Sequence, residues 1–250
     1  MSTSPPRSIF LPFAALFIAV SVLFASIGIL ISDTKGFLFS PSYKSSQDIP
    51  PFTVVIDAGH GGEDGGACTY GGVPEKDLNL FIAKDLELML RLCGINVVMT
   101  RTDDRLLYDP ESDYQGHKKS MDLAERLRIA KEAPNAILIS IHMNAFPEEI
   151  YSGLQVYYAK GSNDSAKLAQ IIQRSCRDQL MPENTRKVKA AGSNIYLLHR
   201  FEGTGVLVEC GFLSNKAERE KLNSPQYRQR LAFCFLSSIL EYISLCNYPQ

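Results

Sequence analysis

The amino-acid sequence predicts an α/β fold: a twisted, mostly parallel or mixed sheet of about six strands flanked by helices on both faces, preceded by one N-terminal transmembrane helix. Short apolar runs bounded by glycine and proline alternate with segments whose apolar residues recur at helical spacing. Ahead of them the first 32 residues carry a single charge, on Arg7. No repeat of fixed period interrupts this order, so one domain of ordinary size accounts for the patterned part of the 250 residues.

The run IFLPFAALFIAVSVLFASIGILI, within residues 8–32, is uncharged and long enough to cross a hydrocarbon core of roughly 30 Å. It exceeds the apolar core of a removed signal peptide and has only a poor small-x-small site near Ser26 and Gly28, which favours an uncleaved anchor. Residues 1–35 are therefore read as an anchor or signal segment. Arg7 before the run and Asp33 and Lys35 after it orient the chain weakly, with the domain that follows outside the cytoplasm. Residues 36–51, rich in Ser and Pro, read as a linker, and residues 52–246 as the folded domain.

FTVVID (52–57) is a buried strand leading into a glycine-rich loop. Lys76 to Cys93 carries Leu78, Ile82, Leu86, Met89, Leu90 and Cys93 on one helical stripe, stopped by Gly94. INVVMT (95–100) is the second strand. Met121 to Ala133 is a helix ended by Pro134, and it feeds AILISIH (136–142). GLQVYYA (153–159) is a strand, Ser165 to Leu180 a helix, NIYLL (194–198) and GVLVEC (205–210) two more strands, and Gln226 to Cys246 a long closing helix.

With 26 Lys plus Arg against 27 Asp plus Glu, the net charge of −1 argues against nucleic acid as a partner. The six cysteines, including Cys68, Cys93, Cys176 and Cys234, lack Cys-x-x-Cys spacing and mostly sit in apolar periodic segments, which marks them as core residues and free thiols.

Four polar residues fall where an open α/β sheet places its ligand site, past the C-terminal ends of strands or on the helix that follows. His60 follows VVIDAG, Glu75 opens the first helix, His142 closes LISIH, and Glu209 lies near the end of VLVEC. Two imidazoles and a carboxylate form a common catalytic zinc set. Each also has a plainer explanation: a hydrogen-bonded histidine after a strand, or a carboxylate favoured by the helix dipole. Glu209 resists that treatment, because a carboxylate inside GVLVECGF is costly unless paired, metal-bound or facing a cavity. Strand alternation points the adjacent Cys210 to the opposite face and removes it as a nucleophile. Arg101 and Arg126 read as structural ion pairs, Asn144 as a turn former or a ligand-orienting donor, and residues 103–118 as a loop long enough to face substrate. Arg186, Lys187 and Lys189 read as a solvated basic surface in preference to a site for peptide carboxylates.

In order along the chain, VVIDAGHGGEDGGA, EKDLNL, TRTDD, ISIHMNA and LVECGFLSN resemble the motifs of the zinc-dependent N-acetylmuramoyl-L-alanine amidases (amidase type 3), and ENTRKVKAAGSNIYLL resembles their spore-cortex, germination-related members. The resemblance covers residues 52–244. It implies that His60, Glu75 and His142 bind Zn²⁺ and that Glu209 is the catalytic carboxylate. It implies hydrolysis of the bond between N-acetylmuramic acid and L-alanine in peptidoglycan, in the spore cortex; the N-terminal apolar segment adds that the enzyme is membrane-held outside the cytoplasm or in the spore envelope space, and an activating protein is a candidate further partner. Two rival functions share the same residues, a zinc peptidase or other amide hydrolase on this fold and a non-catalytic peptidoglycan-binding protein. A two-His, one-carboxylate set also suits iron.

Overall fold

A computed structural model describes residues 51–67, 73–108, 111 and 116–247. The anchor and linker expected over residues 1–35 and 36–51, and Cys68, lie outside the described residues, apart from Pro51 at the linker's end. Among the described residues no helix is long and apolar enough to cross a membrane.

The elements run β1 (Thr53–Ala58), α1 (Glu75–Leu92), β2 (Asn96–Met99), α2 (Lys118–Glu132), β3 (Ala136–Asn144), β4 (Gln155–Tyr158), α3 (Asn163–Leu180), β5 (Lys189–Ala190), α4 (Tyr196–Arg200), β6 (Thr204–Phe212), α5 (Lys216–Asn223) and α6 (Pro225–Asn247). They build a six-stranded sheet in the order β2-β1-β3-β6-β4-β5. All neighbours are parallel except β4, which runs antiparallel to β6. The expected mixed α/β sheet is therefore present.

Strand alternation divides the side chains between two cores. Val54, Ile56, Ile139, Ile141, Val206 and Val208 join Leu78 and Leu86 of α1, Leu168 and Ile172 of α3 and Leu231 and Phe235 of α6 in the larger one. Val55, Leu138 and Leu207 face the other way, against Ala130 of α2 and Leu197 and Leu198 of α4. The second face has the lighter cover, and it is there that Asp57, Ser140, His142 and Glu209 project by the same period-2 rule. Cys210 belongs to the larger core on the opposite face, as alternation requires. The five described cysteines are free, with Cys176, Cys210 and Cys234 buried and Cys93 exposed.

One expected strand is not a strand. NIYLL lies across the start of α4, where the His199 N–H donates to the Ile195 carbonyl at 2.9 Å. A run of four apolar residues, 195–198, has no periodicity that separates strand from helix. Burial of the consecutive Leu197 and Leu198, at 5% and 2% exposure, is met here by a single helical turn wedged against the sheet. The sixth strand is instead the exposed pair Lys189–Ala190, beside Tyr157 and Tyr158. Its charged, two-residue edge carries no apolar signal. The short helix α5, also unread, is polar and buries only Leu222. Its start is nevertheless written locally, since Asn215 Oδ1 accepts from the Glu218 N–H at 3.1 Å in the Asn-x-x-Glu arrangement of a capping box.

Candidate metal centre

The site begins where β1 ends. Past Ala58 the chain makes a tight turn in which Gly61 and Asp64 exchange backbone hydrogen bonds of 2.9 and 3.0 Å. His60 takes φ +62°, a left-handed conformation that costs a non-glycine residue about 1–2 kcal/mol. Such strain persists only where the surroundings enforce it. Three side chains do so. Arg126 donates to the carbonyls of Ala58 (2.7 Å) and His60 (2.7 Å), Arg101 to those of Ala58 (2.8 Å) and Gly59 (3.0 Å), and Asn79 to that of Gly59 (3.1 Å).

Behind the loop Arg126 is almost wholly buried and pairs with Asp57 (2.8 Å) and Asp122 (2.8 Å). Asp57 also accepts from Thr100 Oγ1 at 2.8 Å and Ser140 Oγ at 2.6 Å. Burial opposes ionisation of Asp57, and the Arg126 guanidinium overrides it and lowers its pKa. The structural role expected of Arg126 is thus realised, whereas Arg101 works through carbonyl oxygens.

His60, Glu75 and His142, from three separate elements, bring one nitrogen or oxygen each within 4.8 Å of one another. Glu75 Oε1 stands 3.2 Å from His60 Nε2 and 3.1 Å from His142 Nδ1. The rings meet edge to face with centroids 5.0 Å apart. Glu75 is fixed from behind: the Met143 N–H donates to Oε1 at 3.0 Å and the Ala67 N–H to Oε2 at 2.7 Å. Met143 lies where β3 and β6 slip register, His142 opposite Glu209 but Asn144 opposite Phe212, and such a bulge re-aims backbone groups. Burial works against the Glu75 carboxylate, yet its contacts with His142 and His60 hold it well below the usual carboxylate range. Asp64 Oδ2 lies 2.9 Å from His60 Nδ1, a carboxylate placed to attract the ring. Two imidazole nitrogens and one anionic oxygen converging in this way fit a divalent metal such as Zn²⁺.

Two glycines are required by this crowding. A Cβ on Gly59 would come 2.2 Å from His142 Cε1, and one on Gly66 would come 2.5 Å from Glu75 Oε2 and 2.8 Å from His60 Cδ2. Gly66 also has φ +67°. Gly66→Ala is therefore expected to fold but to bind metal about 10–100-fold more weakly, as measured by titration with a chromophoric chelator.

Glu209 lines a cavity of about 230 Å³ together with His60, His142, Asn194 and Tyr196. Its Oε2 is buried without a hydrogen-bond partner. Burial raises its pKa to about 6, with His142 pulling it down and Glu75 pushing it up. The cost anticipated for a carboxylate in GVLVECGF is thus expressed as a carboxyl whose pKa burial pushes up.

Of the remaining residues singled out, Asn144 accepts the Leu213 N–H through its own carbonyl at 2.8 Å. The described part of the 103–118 loop is tied to the histidine loop through Asp104, which accepts from the Gly62 N–H and from Lys76 Nζ, both at 2.7 Å. Asp64, Asn79 and Asn194 were not expected at the site. Asp64 alone had a local signal, its place four residues after His60.

The family described as N-acetylmuramoyl-L-alanine amidase matches residues 54–241. The chain belongs to that family. It is 33% identical, over 83% of its length and 90% of the relative's, to the germination-specific N-acetylmuramoyl-L-alanine amidase of Bacillus subtilis. The structure of the CwlD amidase from Clostridioides difficile in complex with the GerS lipoprotein superposes with a TM-score of 0.72 at 36% identity, covering 77% of this chain and 98% of that one. An N-acetylmuramoyl-L-alanine amidase of Nostoc punctiforme gives 0.65 at 30% identity, covering 77% and 97%.

Proposed function

We propose that this amidase cleaves the amide between the lactyl group of N-acetylmuramic acid and L-alanine in cortex peptidoglycan, with Zn²⁺ held by His60, Glu75 and His142 and Glu209 as the proton-transferring carboxylate. The observation that carries the reading is the unpartnered Oε2 of Glu209 in a cavity it shares with the two histidines. An amide needs an activated nucleophile, a stabilised oxyanion and a proton for the departing nitrogen. His60, Glu75 and His142 would hold the zinc, and the bound ion would supply Lewis acidity for lowering the pKa of water and polarising a carbonyl. Glu209 takes the proton of the attacking water on Oε2 and returns it to the L-alanine nitrogen, and burial, which raises its pKa, favours the protonated half of that shuttle. His60 and His142 present their nitrogens, while Asp64, Met143 and Ala67 keep the ligand set rigid.

The anchor in residues 8–32 would hold the enzyme outside the cytoplasmic membrane or in the spore envelope space. A protein partner is part of the proposal, since the similar CwlD amidase was solved in complex with a lipoprotein.

Stripping the full-length protein of metal should abolish release of new L-alanine amino termini from purified peptidoglycan, and stoichiometric zinc should restore it. Product analysis separates the readings, because a peptidase exposes other amino termini. Absence of zinc-restored release at L-alanine, with or without the partner, overturns the proposal.

A further inference from the structure

Arg186 is a cation beside the Glu209 strand that no carboxylate answers among the described residues. It follows α3, outside any strand or helix, and is half-buried. Its guanidinium lies over the Phe212 ring, 4.5 Å from the centroid. Nε donates to the Ser152 carbonyl at 2.6 Å and Nη1 to Gln155 Oε1 at 3.2 Å. Stacking and two neutral acceptors fix the plane of the fork, yet among the described residues no carboxylate pairs with it, and Nη2 has no protein partner. The nearby Glu218 is already engaged, its oxygens accepting from the Gly153 N–H (2.9 Å) and the Phe212 N–H (2.8 Å). An arginine held in this way is a preformed receptor for a carboxylate.

Its position says which carboxylate. Gln155, in contact with Arg186, is the register partner of Glu209 across neighbouring strands about 4.8 Å apart. On its other side Arg186 lines a cleft of about 460 Å³ with Tyr151, Ser152, Gly153 and Asn184. The path from Glu209 to Arg186 is one inter-strand step and the length of the Gln155 side chain, a span that about two residues of extended peptide cover at roughly 3.5 Å each. In a stem peptide that begins with L-alanine, the next residue is an acidic one joined through its side chain, which leaves its α-carboxylate free.

We infer that Arg186 is a specificity-determining residue that binds the free α-carboxylate of the second stem-peptide residue, so that the enzyme selects acidic over α-amidated stems. The inference rests on the amidase reading. It reverses the expectation that the Arg186–Lys189 tract is only a solvated surface.

The test compares two muropeptide substrates that differ only in a free or amidated α-carboxyl at the second residue, using full-length, zinc-loaded protein. Wild-type kcat/KM is expected to favour the acid about 10- to 100-fold, mostly through KM. Arg186→Gln should bring the acid-to-amide ratio close to one, and Arg186→Lys should restore only part of it because an ammonium lacks the planar fork. Binding of the two free stem peptides, read by calorimetry, should show the same preference without turnover. Equal handling of acid and amide by the wild type, or an equal loss on both in Arg186→Gln, overturns the inference. If the wild type cleaves neither substrate but still binds the acidic peptide preferentially, the amidase reading fails and the Arg186 assignment stands.

Discussion

Glu209→Gln is expected to lower kcat by about 10²- to 10⁴-fold while leaving zinc bound. The amide keeps the size of the side chain and the hydrogen-bonding reach of one oxygen, but it cannot accept the proton of water at Oε2. The His60, Glu75 and His142 set is untouched, so metal content measured on the purified variant should equal that of the wild type. The pH profile supplies an independent reading. Burial lifts the Glu209 carboxyl to about 6, and a bound dication facing it pulls that value down. Wild-type kcat/KM should therefore rise with pH through a limb at or below about 6, and the residual activity of the variant should lack that limb. Stability moves in the opposite sense to activity. The folded value lies above the unfolded one, so in metal-free protein ionisation of Glu209 removes stability as pH rises through that interval, by at most about 2 kcal/mol. The variant should then melt no lower than the wild type at pH 8. A variant that keeps zinc, melts normally and still cleaves at wild-type rate would remove Glu209 from the reaction.

That Glu209 was legible at all comes from a conflict within its own strand, a carboxylate in a run that otherwise buries every second residue on each face. His60 and His142 were legible because strand ends in an α/β sheet converge, and Glu75 because it opens the helix that follows. What was hidden is whatever depends on side chains meeting from distant segments. Asp57 reads in sequence as the end of VVID, and only the fold shows it between Arg126 and Ser140. Asn79 reads as one polar position on α1, yet it is fully buried against the Gly59 carbonyl. The exchange of NIYLL for Lys189–Ala190 as the sixth strand has a similar origin. Apolar content marks what is buried, whereas helix or strand in so short a run is decided by the neighbours it packs against. The anchor was read from its length and apolarity alone, and residues 8–32 lie outside the described structure.

Arg126→Met is expected to cost about 3–5 kcal/mol of stability, because it leaves two buried carboxylates without their cation. Asp57 and Asp122 are 1% and 4% exposed, too enclosed for water to replace the guanidinium. The loss should appear as a lower denaturant midpoint with the slope unchanged. Arg126→Met with Asp57→Asn should recover part of it, since the double change removes one stranded charge along with its partner. Acid acts on the same cluster. Asp57 is held below its unfolded value of 3.8, so its contribution is complete above that pH and disappears as pH falls through the lowered folded value. The wild-type protein should accordingly lose stability in that acid range, and Arg126→Met, where burial of Asp57 is no longer overridden, should not lose stability through Asp57 there. The consequence extends to the metal. Arg126 is what holds the His60 carbonyl in a left-handed turn, so releasing it lets the ring leave the position opposite Glu75. Zinc affinity should fall by about 10- to 100-fold in the fraction that remains folded. If the variant lost stability but bound zinc as tightly as the wild type, the strained turn would be held by Arg101 and Asn79 alone, and the buried ion cluster would serve the fold without serving the site.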